Sequence, residues 1–473
     1  MGSVVLDQTC VTPLATLTTT DVRVPLVDGR SVRYVNLDHA ASTPPLTAVA
    51  QAVGRAAGLY SSVHRGAGWA SQVSTAAYET ARRRIAAFVG ARADDVTIIT
   101  RNTTDALTLL ASAVPGPVVH LDVEHHANLL PWRAGEHRVV RAAETVAATL
   151  TALDAELAAR PAALLAVTGA SNVTGETLPL EALAALAHRH GARLAVDGAQ
   201  LVPHRPVDIA VAGVDYLAFS GHKLYAPFGA GALVGRRDWL DAAPPHQPGG
   251  GAVERVTLDD VRWTVTPARH EGGTPNILGA IAVAAACDEI TALGWDAVVA
   301  HEAGLARRLD DGLTALGIAP LRLWDGDRVG IATFTVPGHD AATVATYLSA
   351  EHGIGVRDGR FCAHPLLDRF GAVDGAVRVS LGLGSSVDDV DRLLAALRAL
   401  LADGPRWTYG LTADGVVPVP DPRTVPEWAG GAAVGTASPC APAQPSGDRQ
   451  PSGVRQPSSV RQPSSGRTPS AKA

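Results

Sequence analysis

Five short apolar runs, spaced along one stretch of chain with helical patterns and turns between them, limit this protein to a small set of folds. The runs are VTIIT (96–100), VVHLD (118–122), ALLAVT (163–168), RLAVD (193–197) and DYLAFS (215–220). Each is too short for a buried helix and reads as a strand buried on both faces. Helical patterns occupy 70–89 and 179–190; the second opens after Pro179 and stops near Gly191, as helix boundary signals require. Strands alternating with helices predict an α/β fold whose mainly parallel sheet is covered on both faces. This large domain is expected over 31–285. A long helical stretch after 276 leads into a smaller C-terminal α/β domain, 286–403. It holds RVGIATFTV (328–336), a helix at 340–351, GIGVR (353–357), AVRVSL (376–381) and a closing helix at 386–402. Residues 1–30 read as an extension with some strand. From 404 the pattern decays into Pro, Gly and Ser, and four hexapeptide repeats (QPSGDR, QPSGVR, QPSSVR, QPSSGR) fill 444–467. Such segments bury too little apolar surface to offset chain entropy, so 404–473 is predicted to be disordered.

Apolar residues make up 47 % of the 473, enough for a sizeable core, and the net charge of −6 is small. Neither nucleic acid nor a membrane surface is expected as a partner. The chain opens without a basic, then apolar, leader, and no apolar run reaches spanning length, so a cytoplasmic location is expected. Cys10, Cys287, Cys362 and Cys440 are scattered, with no CxxC, which argues against a disulfide framework or a metal site.

One compositional fact bears on chemistry. Lysine occurs only at 223 and 472, and the second lies in the tail. Open parallel sheets bind ligands beyond the carboxyl ends of their strands. RLAVD ends there in Asp197, and DYLAFS leads into Ser220, Gly221, His222 and Lys223. A desolvated Lys suits a Schiff base with an aldehyde. A carboxylate opposite a pyridine nitrogen keeps that ring protonated and electron-accepting. Together the two residues point to pyridoxal 5'-phosphate (PLP). Asn102-Thr103-Thr104-Asp105 opens a helix after VTIIT, where N–H groups can meet a phosphate or simply cap the helix. In EHHAN (124–128), His125 is either a ring-stacking, proton-shuttling group or a loop histidine. Cys362, near Arg357 and Arg360, is either a thiolate nucleophile or a small buried residue. Arg378 offers a bidentate carboxylate clamp, although Arg is abundant throughout.

These residues sit in a longer series of motifs in fixed order: NLDHAAST (36–43), SVHRG (62–66), NTTDAL (102–107), EHHANLLPW (124–132), SNVTGE (171–176), VDGAQ (196–200), FSGHKLYAPFGAGAL (219–233), EGGTPN (271–276), VRDGRFCAHPL (356–366) and VRVSL (377–381). The series resembles the class V aminotransferases, fold-type I PLP enzymes, and within them the Suf-type cysteine desulfurases and selenocysteine lyases. The resemblance covers about 34–403. It implies a mainly parallel seven-stranded sheet with a smaller C-terminal domain. It implies that Lys223 forms the Schiff base, that Asp197 pairs with the pyridinium, that Gln200 and Asn172 touch the ring hydroxyl, and that His125 stacks on the ring. Thr104 with its neighbour Asp105, Ser220 and His222 would hold the phosphate. Thr274 would reach a phosphate across a homodimer interface. Arg378 would bind the substrate carboxylate, Arg357 and His64 would line the pocket, and Cys362 would attack sulfur.

The reaction so implied removes sulfur from L-cysteine, leaving L-alanine and a persulfide on Cys362 for a sulfur-acceptor protein. The alternative is another class V reaction: C–S lyase, epimerase or aminotransferase. A third reading, of a different class, is a binding protein that kept the fold. One departure from the family pattern stands out: relatives carry a His pair before the cysteine, where this chain has Arg360-Phe361.

Overall fold

The computed structural model describes residues 12–413 and 415–430, all within one compact unit. Its centre is a seven-stranded sheet. The strands are β1 (Val96–Thr100), β2 (Val118–Leu121), β3 (His137–Val140), β4 (Leu164–Thr168), β5 (Arg193–Asp197), β6 (Tyr216–Ser220) and β7 (Gly231–Gly235). The spatial order is β1-β7-β6-β5-β4-β2-β3. Only β7 runs against its neighbours. All five strands read from the sequence are present. The two that were not, β3 and β7, lack their signals: β3 alternates buried and exposed residues at the sheet edge, and β7 begins and ends in glycine. In β4, β6 and β7 every residue is buried, which explains their continuous rather than alternating apolar character.

Helices cover the sheet where periodicity placed them. Trp69–Phe88 and Leu180–Arg189 match the expected spans to within a residue or two. The helix Ile277–Leu293 packs against Thr47–Ala57 and Trp69–Phe88. No single helix among the described residues is long and apolar enough to cross a membrane.

A second sheet, three-stranded and antiparallel, places β10 (Ala376–Ser380) between β8 (Ile331–Phe334) and β9 (Arg357–Gly359). Three helices, Trp295–Ala315, Ala341–His352 and Val387–Asp403, bury Leu309, Leu348 and Leu397 with it in a separate core cluster. Ser386 and Asp389 close the last helix with reciprocal caps, the arrangement a Ser-x-x-acid start favours. Val35 and Leu37 join this second cluster. They do so because Val35–Asn36 pairs in parallel with Ile354–Gly355. The lead-in also packs on the body: the N–H groups of Leu14 and Ala15 donate to Leu383 O, and Val27 N–H to Ala350 O.

The expected disorder from 404 needs correction. Tyr409–Thr412 and Gly415–Pro418 form an antiparallel hairpin. Its support is Glu351, whose carboxylate accepts from the backbone N–H groups of Arg406 and Trp407 and from the Tyr409 hydroxyl. A half-buried carboxylate accepting from two backbone donors and a hydroxyl adds to the little apolar burial available there. The hexapeptide repeats, Cys10 and Cys440 lie outside the described residues.

Replacing Glu351 by Ala removes the acceptor of those donors and should loosen the hairpin by about 1 kcal/mol. Limited proteolysis should then cut near 404–418 well before the main body unfolds. Cleavage no faster than in the parent protein would show that Glu351 does not hold the hairpin.

Candidate active site

β4, β5 and β6 end side by side at Thr168, Asp197 and Ser220, and a cavity of about 320 Å³ opens beyond them. Its walls bring together Thr104, His125, Asn172, Asp197, Gln200, Ser220, His222, Lys223, Arg357, Cys362 and Arg378. They are drawn from segments up to 274 positions apart in the chain, counting from Thr104 to Arg378.

Lys223 stands on the short 3-10 turn Gly221–Lys223 that follows β6. The turn requires Gly221: a Cβ there would lie 2.6 Å from Val283 Cγ2 and 2.7 Å from Ala230 O. The remaining exposed surface of Lys223 opens on the cavity. Loss of water around the amine pulls its pKa down to about 8, Asp197 pulls the other way, and Arg378 adds to the depression. Asp197 is 4 % exposed. Its Oδ1 accepts from Ala199 N–H at 3.0 Å. Burial raises its carboxyl, while that hydrogen bond and Lys223 act in the opposite sense.

His125 has its pKa pulled to about 3, first by burial and then by Lys223. Its Nδ1 accepts from Ala127 N–H, so the neutral ring carries its proton on Nε2. It therefore presents an uncharged flat face and one donor. His222 is lowered to about 4 by the same two causes, burial before Lys223.

At the start of the helix Thr103–Ala113, Asn102 caps by accepting from Asp105 N–H. Ser220 Oγ accepts from Thr103 N–H at 2.8 Å and meets Thr103 Oγ1 at 2.7 Å. The helix N-terminus is thereby tied to the end of β6, where both can address one anion.

Arg378, 4 % exposed, lies opposite Arg357 in the β9–β10 register. It donates to Asn172 O at 2.9 Å and pairs with Asp38 at 3.2 Å. Its Nε is buried without a partner. Burial lowers its pKa, Asp38 opposes this, and Arg357 reinforces it. Two guanidinium groups and one amine face a single lining carboxylate, so the cavity favours an anionic ligand.

Cys362 follows β9 in a loop where Phe361 and Cys362 both adopt positive φ, 51° and 53°. His126 N–H donates to Cys362 O, and Asn172 Nδ2 donates to Phe361 O. The charge of Cys362 acts on both Lys223 and Arg378.

Three expected residues are elsewhere. Asp105 turns its carboxylate to Arg101 N–H and His246 and lines a second cavity instead. A helix start exposes backbone donors to an anion, not an acidic side chain, so this correction follows from charge. Thr274 lines that second cavity too, on a loop anchored by the buried Arg82–Glu271 pair. His64 is largely exposed and pairs with Glu79. No individual role is legible in the sequence for Asp38, Thr103 or the buried Glu124, and Phe361 stands out there only as a departure from the family pattern. Asp38 lies within NLDHAAST and Glu124 within EHHAN, but nothing local in either motif reveals the distant partner or the burial. Burial lifts the Glu124 carboxyl well above the usual range.

The residues present fit PLP. Gln200 donates to Ala40 O through Nε2, and its Oε1 is buried with no partner, an acceptor awaiting a hydroxyl. Asp197 is the lining carboxylate that could meet a ring nitrogen, and the tied helix start and Ser220 suit a phosphate.

The comparisons agree with this geometry. The family model "Aminotransferase class-V" matches residues 35–393. A cysteine desulfurase of Dickeya dadantii is 37 % identical over 391 residues, 79 % of this chain and 93 % of that one. A probable cysteine desulfurase of Vibrio cholerae is 35 % identical, covering 79 % and 94 %. Among solved structures, the apo cysteine desulfurase of Thermococcus onnurineus superposes with a TM-score of 0.72 at 31 % identity, over 78 % of this chain and 94 % of that one. The cysteine desulfurase CsdA of Escherichia coli gives 0.69 at 32 % identity, over 78 % and 94 %. With a family match across most of its length and a site built of the same motifs, the chain belongs to the class V aminotransferase family.

Proposed function

We propose that the protein is a PLP-dependent cysteine desulfurase acting in the cytoplasm as a homodimer and passing sulfur from L-cysteine to an acceptor protein. One observation carries the reading: Cys362 lines the same cavity as Lys223, Asp197 and Arg378.

Arg378, with Arg357 beside it, receives the substrate carboxylate and fixes the Cα–H bond relative to Lys223. The Lys223 amine, neutral above about pH 8, takes the Cα proton. PLP bound there supplies the electron sink that makes this proton removable. His125 stays neutral and covers the site. Cys362 thiolate attacks the substrate sulfur. A sulfur–sulfur bond forms, the Cβ–S bond breaks, and its electron pair stays with the carbon fragment, which gains one proton at Cβ, recovers its Cα proton from Lys223 and leaves as alanine. The persulfide remains on Cys362. Asp38 and Asn172 hold Arg378 in place throughout.

Thr274 lies apart from this cavity within one chain. In the proposed dimer it serves the phosphate of a second copy. Sedimentation should give a dimer, and Thr274→Ala should weaken PLP retention about tenfold, the value of a hydrogen bond to a charged group. A fully active monomer would overturn this part of the reading.

The depressed amine sets a pH dependence. Below about pH 8 Lys223 carries a proton and is no nucleophile; above it the amine is neutral. Capture of PLP by the cofactor-free protein, followed by visible absorbance, should therefore accelerate with a midpoint of about 8 and then level off. Lys223→Ala should show no such absorbance. A rate that is flat across this range would refute the assignment of the amine.

Cys362→Ser should keep PLP absorbance while alanine and persulfide formation from L-cysteine falls by at least about a hundredfold, the usual scale for losing an activated nucleophile. Unchanged turnover in that variant would favour a C–S lyase or epimerase in which the thiol plays no part.

A further inference from the structure

The loop before Cys362 holds an aromatic residue in a backbone conformation that aromatic residues seldom adopt. Phe361 has φ 51°, a region where a bulky side chain is a genuine outlier. Such strain persists only where the surroundings over-determine it, and it gathers at functional sites. Three contacts hold the turn. Asn172 Nδ2 donates to Phe361 O at 2.8 Å. His126 N–H donates to Cys362 O, and Ala363 N–H donates to Arg360 O.

The ring that this turn aims is 4 % exposed and lines the main cavity. The guanidinium carbon of Arg378 sits 5.1 Å from its centroid. Asn172 links the two residues a second time. Its side chain binds the Phe361 carbonyl, and its own carbonyl accepts from Arg378 Nη1. Asp38 holds Nη2. The guanidinium is therefore held by one carbonyl, one carboxylate and one aromatic face, and Nε alone is buried without a partner.

We propose that Phe361 is the positioning residue for carboxylate recognition: its ring face supports the Arg378 guanidinium and fixes the plane in which the remaining donors meet a substrate carboxylate. This rests on the reading that Arg378 receives that carboxylate. The ring is preferred to a polar residue here for a physical reason. A hydrogen-bonding side chain would take up guanidinium N–H donors. A π-face attracts the cation without using any N–H. The ring itself does not titrate, unlike the Asp38 carboxylate, which burial raises.

The test uses PLP-loaded enzyme and two amines that differ by one carboxylate, L-alanine and ethylamine. Their dissociation constants are read from the change each causes in cofactor absorbance, which requires no turnover. Arg378→Gln tests the underlying reading: it should abolish the preference for L-alanine whatever Phe361 does. Phe361→Leu keeps an apolar side chain of similar bulk without the π-face. It should weaken L-alanine about tenfold, in line with a desolvated cation–π contact, and leave ethylamine unchanged. Phe361→Tyr should restore the parent preference. KM for L-cysteine should rise with kcat nearly constant, as expected for loss of uniform binding. If Phe361→Leu weakens both amines equally, or neither, while Arg378→Gln still abolishes the preference, the positioning role is wrong and the carboxylate reading stands. If Arg378→Gln leaves the preference intact, both fall. Cofactor absorbance per chain and melting temperature show whether the Leu variant is folded and loaded. A Leu variant that loses both marks the residue as structural, which equally overturns the proposal.

Discussion

An amine and a carboxylate are held together away from bulk water at the ends of adjacent strands, and the remaining site is arranged around that pair. Desolvation acts on Lys223 and Asp197 in opposite senses: it lowers the amine to about 8 and raises the carboxyl. Each is the other's opposing charge. The opposing charge restrains the shift of each. The result is an amine poised near neutrality beside an acid that is still available to a ring nitrogen. This balance depends on backbone geometry as much as on charge. Gly221 lets the turn after β6 press against Val283 and Ala230, and that contact sets where Lys223 emerges. A larger residue would displace the amine from the strand ends and return it to water.

The substrate end of the site depends on a different junction. Arg378 belongs to β10 of the small sheet. Its partner Asn172 follows β4 of the large sheet, and its partner Asp38 follows the segment that pairs with Ile354–Gly355. One guanidinium thus gathers groups from both hydrophobic cores. Asp38 also bridges to Ser380, which ties the acid to the strand bearing the arginine. The proposed carboxylate clamp, built across the two sheets, is sensitive to packing far from the chemistry. A shift of the small sheet that left every side chain intact would still misalign Arg378 relative to Lys223.

Which features were legible in the sequence follows from the range of the forces involved. Strands β1, β2, β4, β5 and β6 announce themselves because burial on both faces leaves mostly apolar residues. The edge strand β3 and the glycine-bounded β7 carry no such signature. Lys223 and Asp197 were legible as strand-end residues. Where Asp105 points was not, because His246 lies 141 positions away in the chain. The hairpin at 409–418 was missed for a similar reason. Its stability rests on one carboxylate, Glu351, that local composition does not reveal. Phe361 departs from the family pattern, but an aromatic residue beside a cysteine looks like ordinary core, and only its backbone angle and the arginine over its ring suggest a role.

The scarcity of lysine fits the same physics. Forty residues are Lys or Arg and only Lys223 and Lys472 are lysines, so among residues 12–430 a single side-chain amine exists. Arginine stays protonated under all working conditions and forms no Schiff base. It can nevertheless supply every other cationic duty found here: the clamp at Arg378, the neighbouring charge at Arg357, the buried pair of Arg82 with Glu271. An aldehyde cofactor entering this fold therefore meets one nucleophilic side-chain amine and many cations that cannot compete for it. Whatever drove the bias toward arginine, its chemical effect is selectivity, because the fold's one lysine sits on the one turn where an amine is wanted.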